Sequence, residues 1–335
     1  MRCRLYGGGA SLEIDMPSLD IATSSLLSPM TLCFLLGVLS VALRSDLAVP
    51  EPLSRFLAIY LMLAIGLKGG AELNSGSPVS IPLLLAGTGI ALVVPLWIFA
   101  AARRLAGFSV PDAASLAAHY GSVSAVTFIA ALAYLNLVGI APEPGATALL
   151  AVMEVPAILV AIALARLAGG SAGSLWPVLT TILSRKSIVL LIGGLAIGAI
   201  VGPAGIAPVR PLFDDLFRGL LCLFLLDLGI QVARSTSAIR SAALALVGFG
   251  LVAPLANAGL GLVVAKLLGL SVGGSVVLAT LAASASYIVA PAAIRSALPE
   301  ADGTPALAAA LAVTFPFNLI VGLPLYTALA RLLQA

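Results

Sequence analysis

The chain has 335 residues, 61% hydrophobic and 9% charged, with a mean hydropathy of +1.17. A soluble domain carries about 25% charged residues, so these apolar runs must face lipid or one another. A net charge of +3 without a basic patch excludes a nucleic-acid partner. A single histidine, three scattered cysteines and no nucleophile–base set or nucleotide motif give no basis for an enzyme or a resident cofactor.

Residues 1–27 read as an N-terminal tail. No apolar segment follows Arg2 and Arg4 directly, so no signal peptide is expected, and Met16 offers an alternative start. Ten apolar segments then follow, at residues 29–43, 55–70, 80–102, 112–137, 146–167, 186–201, 213–233, 239–268, 271–297 and 305–333. A crossing helix needs about 20 apolar residues. Continuous Leu- and Ala-rich runs without alternation exclude a barrel. The expected fold is therefore an all-α polytopic membrane protein. The expected units are a first five-helix repeat at 28–167, a cytoplasmic linker at 168–185 and a second repeat at 186–335.

Ten basic residues fall in odd-numbered loops: Arg44, Arg55, Arg103, Arg104, Arg166, Arg185, Lys186, Arg234, Arg240 and Arg295. Seven fall elsewhere. The bias places both termini outside a bacterial inner membrane and the central linker in the cytoplasm.

The halves match at a nearly constant offset. Leu116–Val123 aligns with Leu281–Ile288, Ala64–Lys68 with Asp227–Gln231, Val155–Leu159 with Phe315–Leu319, and Gly37 with Gly194. Five spans per half require opposite insertion, the inverted-repeat plan of many secondary transporters.

Spans four and nine hold the polar patches His119–Thr127 and Ser284–Pro291, within stretches free of Asp, Glu, Lys and Arg. Gly121 and Pro291 weaken a helix. Both spans are expected to break there and cross near mid-membrane. Their exposed N–H groups would favour an anion and their freed carbonyls a cation. Helix packing by small residues is the competing reading of any one serine. The expected anion set is Gly121, Ser122, Val123, Ser124, Ser284, Ser286 and Tyr287, with His119 and Tyr120 beside it. Two carboxylates, Glu154 and Asp227, sit in apolar runs, where such groups face a cavity or a partner. Glu154 is expected to face the cavity and Asp227 to pair with Lys68. The expected Na+ set is Ser124, Thr127, Ser286 and Glu154, with Asn318 in reserve.

At these residues the chain resembles the sodium-dependent bicarbonate transporter family, the SbtA-like proteins, from about residue 28 to 333. The resemblance is carried by Gly66–Gly70, His119–Thr127, Glu154–Ala157, Leu216–Leu221, Ala283–Tyr287 and Pro316–Asn318. It implies Na+-coupled symport of bicarbonate by an elevator-type homotrimer. In that plan spans one, two, six and seven form a gate domain and the others a core. It also implies a PII-like cytoplasmic regulator in the cyanobacterial members. Here Tyr287 follows Ser286 where the cyanobacterial pattern has an aspartate, and the central linker is shorter, as in the non-cyanobacterial branch. Two other readings remain open at this stage: a carrier of small organic carboxylates, and an anion-binding membrane sensor or scaffold.

Overall fold

The computed structural model describes residues 28–76, 80–169, 174–240 and 244–334. The tail at 1–27 lies outside the described residues. Within them the chain is helical, without strands. The first half contributes α1 (Pro29–Ala42), α2 (Glu51–Asn74), α3 (Ile81–Arg104), α4 (Val110–Gly121), α5 (Ala125–Leu137), α6 (Ala146–Glu154) and α7 (Pro156–Ala168). After α8 (Trp176–Leu183) come α9 (Lys186–Ile206), α10 (Phe217–Arg240), α11 (Leu244–Leu267), α12 (Val272–Ala283), α13 (Ala290–Ala297) and α14 (Gly303–Gln334). Seven helical stretches are long and apolar enough to cross a membrane, and α1 and α12 are shorter apolar helices. The chain is thus a polytopic membrane protein.

Several boundaries differ from those the sequence suggests, for local reasons. The fifth stretch is interrupted at Val155, because Pro156 begins α7. The sixth continues to Ile206 through a bend at Gly202, whose φ of 64° is open to glycine and strained for other residues. Residues 239 and 240 belong to α10 rather than to the next span. The linker holds a helix of its own, α8, with Pro177 in its first turn. In α14 two wide helical turns, Ala310–Thr314 and Asn318–Gly322, flank Pro316, which cannot donate to the helical ladder.

Two pairs of helices meet backbone to backbone. A Cβ on Gly66 of α2 would lie 2.7 Å from the Leu191 carbonyl and 2.9 Å from Gly194 Cα of α9, and Gly70 lies against Gly198. Gly66 with Gly194 and Gly70 with Gly198 run in the same sense, so α2 and α9 are parallel. Gly37 of α1 meets Gly229 of α10, where a Cβ would lie 3.1 Å from the facing Cα. Small residues allow such approaches, and dispersion between backbones holds them. Helices α1, α2, α9 and α10 form one group through these contacts. In the rest, α3, α4 and α7 pack together, as do α11, α12 and α14, while α12 meets α5 and α13 meets α4.

Candidate functional site

Ser109 opens α4 by accepting a hydrogen bond from the Asp112 N–H, and Pro111 sits in the first turn. The helix stops at Gly121. Ser122 and Ser124 are extended, and α5 restarts at Ala125 with the Ser124 hydroxyl capping the Thr127 N–H at 3.2 Å. The other segment repeats this. Ser271 caps α12, the helix stops at Ala283, and Ser284 is extended. The Ser286 hydroxyl then accepts from the Ala290 N–H at 3.2 Å as α13 begins. Pro291 lies in the first turn of α13, so it starts that helix rather than kinking its interior.

The two interruptions touch. The Ser286 N–H donates to the His119 carbonyl at 2.7 Å, and the Ser124 N–H donates to the Ser284 hydroxyl oxygen at 2.9 Å. Ser284 in turn donates to the Leu281 carbonyl at 2.8 Å. Ser122 donates to the Glu154 carbonyl at 2.8 Å, which ties the first interruption to the end of α6. The carbonyl ends of both first half-helices are met by amides. Asn257 Nδ2 donates to Tyr120 O at 3.4 Å, and Asn318 Nδ2 donates to Ala283 O at 3.0 Å. Each amide satisfies a carbonyl that the break would otherwise leave open.

A pocket of about 20 Å³ lies where the interruptions approach α2 and α9. Val123, Ser124, Glu154, Ser286 and Tyr287 line it from one side, Met62 and Ser187 from the other. Glu154 is 3% exposed. Its Oε2, the Ser187 hydroxyl and the Tyr287 hydroxyl are buried without a hydrogen-bond partner. Among the described residues, no protein acceptor meets the N–H groups of Val123, Ala125, Tyr287 and Ile288 around the same pocket. Leaving a buried polar group unpaired costs about 1–3 kcal/mol. Three side chains doing so around one pocket mark a place built for a polar guest.

The remaining expected residues take other positions. Gly121 packs against Pro95, where a Cβ would lie 2.5 Å from its Cγ, so it lets α4 approach α3. The Tyr120 hydroxyl bonds to the Thr314 hydroxyl at 2.9 Å, and Thr314 donates to the Gly250 carbonyl at 2.8 Å. His119 Nδ1 lies 2.7 Å from the Ser115 carbonyl, so it carries the proton, while Nε2 is buried without a partner. Thr127 is buried in the first turn of α5, away from the pocket lining. The Asn318 side-chain oxygen accepts from the Tyr326 hydroxyl at 2.7 Å and is therefore already engaged. Asp227 does not meet Lys68: it accepts from Ser54 and, at 2.8 Å, from Gln231. Lys68 instead pairs with Asp214 at 2.5 Å and lies 4.6 Å from the centre of the Phe217 ring. Ser187, Asn257 and Thr314 carry no sequence signal as site residues; only the fold brings them in.

The family model described as the Na+-dependent bicarbonate transporter superfamily matches residues 29–331. No curated protein matches the chain.

Proposed function

Because the chain belongs to the Na+-dependent bicarbonate transporter superfamily, we propose that it is a secondary carrier coupling a small anion, bicarbonate first, to Na+. The observation that carries this reading is the inner pocket, with its unpartnered carboxylate oxygen, two unpartnered hydroxyls and open backbone donors. Val123 and Tyr287 offer N–H donors, and Ser124, Ser286 and Tyr287 hydroxyl donors, to the anion at the starts of α5 and α13. Glu154, with the Ser124 and Ser286 hydroxyl oxygens, offers a hard oxygen set to Na+, and Thr127 stands one turn behind. A carboxylate with no cation beside it disfavours an anion bound alone. Co-bound Na+ removes that penalty, which is the physical basis of symport here. Gly121, Ser122, Ser284, His119, Tyr120 and Asn318 hold the two interruptions in register.

The proposal extends to ten spans, obtained by adding α1, α10 and the α12–α13 segment to the seven long stretches. They fall into repeats at 28–167 and 186–335 of opposite orientation, joined by 168–185, with both termini outside the inner membrane. The glycine contacts support the inverted repeat. Gly37 aligns with Gly194 and Gly66 with Gly229, yet Gly37 packs on Gly229 and Gly194 on Gly66. A twofold exchange of halves produces that swap. An elevator movement of the remaining helices against α1, α2, α9 and α10, a homotrimer built on that group and a PII-like regulator at the cytoplasmic face complete the proposal.

Uptake into proteoliposomes tests it, with and without a Na+ gradient, across bicarbonate and small carboxylates. Na+-driven accumulation of bicarbonate is expected. Accumulation of carboxylates alone would move the substrate class. Anion binding without accumulation of any anion would replace the carrier with a sensor.

A further inference from the structure

A second recess, about 640 Å³, opens beside the inner pocket. Thr180, Thr181 and Ser184 line it from the end of α8, and Arg185, Lys186 and Ser187 from the start of α9. Ser187 and Ile288 line both cavities, so they form the partition between them. The two volumes imply different occupants. One water needs about 10–15 Å³ of such space. The inner pocket therefore takes a single water-sized particle in this state, while the recess is an open space wide enough to admit an oxyanion with its hydration shell.

Its free donors are the Arg185 and Lys186 side chains, because the Thr180, Thr181 and Ser184 hydroxyls donate to carbonyls of α8, and its described lining includes no acid. Among the described residues neither Arg185 nor Lys186 has an ion-pair partner. Residue 185 is the N-cap of the 21-residue α9 and supplies no side-chain cap. Among the described residues, the first-turn N–H groups of Lys186, Ser187 and Ile188 meet no acceptor. The Ser187 side chain, at the partition shared with the inner pocket, adds to these: the residue is 7% exposed and its hydroxyl is unpartnered. Two uncompensated cations, a helix N-terminus and a buried free hydroxyl converge on one opening.

We propose that the start of α9, with Arg185, Lys186 and Ser187, is a second oxyanion site, separate from the inner pocket. It holds a small monovalent oxyanion of the bicarbonate or carboxylate type, still partly hydrated, on its way past the Ser187–Ile288 partition. Its charge concentrates anions at this mouth, ahead of the inner pocket where anion and Na+ are held together. The transit role rests on the inner pocket being the cargo site; the anion selectivity of the recess does not.

The test uses full-length protein in non-ionic detergent, with Cys3, Cys33 and Cys222 replaced by Ala and Thr181→Cys as the reporter. Anionic and cationic thiosulfonate reagents of similar size compete for that thiol. The anionic reagent is expected to react about tenfold faster, and Arg185→Gln with Lys186→Gln to abolish the preference. Bicarbonate is expected to slow the reaction, and to slow it less with Ser187→Ala. Equal rates for both reagents, or a preference that survives loss of both cations, would overturn the site. So would protection by added phosphatidylglycerol but not by bicarbonate, which would make it a lipid headgroup seat. In proteoliposomes, Arg185→Gln with Lys186→Gln is expected to raise half-saturating bicarbonate at the face carrying α8 and leave the other face unchanged. An equal rise at both faces, or none, would overturn the transit role. A charge-selective recess in a protein that transports no anion would sink the carrier reading and leave the recess standing.

Discussion

Ser284→Ala tests the joint between the two interruptions. The Ser284 hydroxyl oxygen is the acceptor for the Ser124 N–H at 2.9 Å, and the residue is fully buried. Alanine removes that acceptor without adding bulk, at a residue with no exposed surface. The Leu281 carbonyl is not orphaned, because it still receives the Ser284 N–H at 3.2 Å. One buried donor is therefore stranded, at a cost of about 1–3 kcal/mol. The Ser286 to His119 bond at 2.7 Å remains and keeps the segments from parting altogether. If the cargo is held only when the interruptions are joined, half-saturating bicarbonate should rise by about 5–150-fold, the same energy read as a population. Thermal unfolding in detergent should shift down in parallel. Thr327→Ala is the control: it also removes a buried hydroxyl, but one bonded only to the Leu323 carbonyl of its own helix. Equal behaviour of the two variants in uptake and melting would refute the reasoning, because the Ser124–Ser284 bond would then join nothing that matters.

Glu154→Gln keeps the shape and removes the charge, so the protein should insert and melt normally while uptake loses its dependence on Na+ concentration. Gly66→Val places a side chain against the Leu191 carbonyl and Gly194 Cα. Melting should fall by the equivalent of about 1–3 kcal/mol or more, whereas Gly89→Ala, with nothing within 4 Å of its new carbon, should be neutral or stabilising. The Asp214 carboxyl is held below its ordinary range, first by the Lys68 hydrogen bond, which outweighs the opposing effect of burial, and then by the Lys68 charge and by Arg210. A depressed pKa stabilises the fold above the unfolded value, near 4, and the gain is lost as pH falls through the folded value. The difference in melting between wild type and Asp214→Asn should therefore be constant near neutrality and shrink in acid; a difference that widens in acid would contradict the pairing. Met62→Cys with Ile288→Cys, oxidised across the inner pocket in a chain otherwise free of cysteine, should stop uptake, and a reductant should restore it. Transport by the cross-linked form would count against relative movement there.

Much of this was legible before any fold was known. Charge-free stretches around Gly121 and Ser284–Pro291 announced both interruptions, because glycine, serine and proline alter helix energetics through the local backbone alone. The stop before Pro156 was missed, since the apolar run at 146–167 reads as one span although Pro156 carries the same backbone signal. Pairings across helices were not. Lys68 finds Asp214 rather than Asp227 because α2 and α9 run side by side and carry the turn after α9 over the end of α2. Asp227 sits toward the other end of α2, bonded to Ser54. Spacing along one chain contains no information about that. Ser187 was invisible for a related reason: a serine after two basic residues reads as a helix start at the membrane edge, and only the burial of its hydroxyl sets it apart. The α8 helix had a usable signal, Trp176–Pro177 ahead of an apolar turn, masked by the Gly- and Ser-rich run before it.

The seam through the inner pocket follows from how its two walls are held. Met62 and Ser187 stand on α2 and α9, whose backbones are in contact at Gly66–Gly194 and Gly70–Gly198, too close to slide without collision. Glu154, Ser124, Ser286 and Tyr287 stand on segments tied to each other by the Ser122–Glu154, Ser124–Ser284 and Ser286–His119 bonds. Across the seam, Glu154 Oε2, the Ser187 hydroxyl and the Tyr287 hydroxyl make no hydrogen bond. Around the pocket each wall is internally joined and the polar groups between them are free, so no hydrogen bond at the pocket opposes a separation of the walls; elsewhere Arg218 bonds Asn136 and Gly69 packs on Thr147 between the same two groups of helices. On the proposed elevator movement that freedom has a function. A cargo bound to the interrupted segments travels with them, and polar bonds to α9 would have to be broken on every cycle. A pocket whose guest completes the bonds on one wall, and only touches the other, lets the loaded wall move.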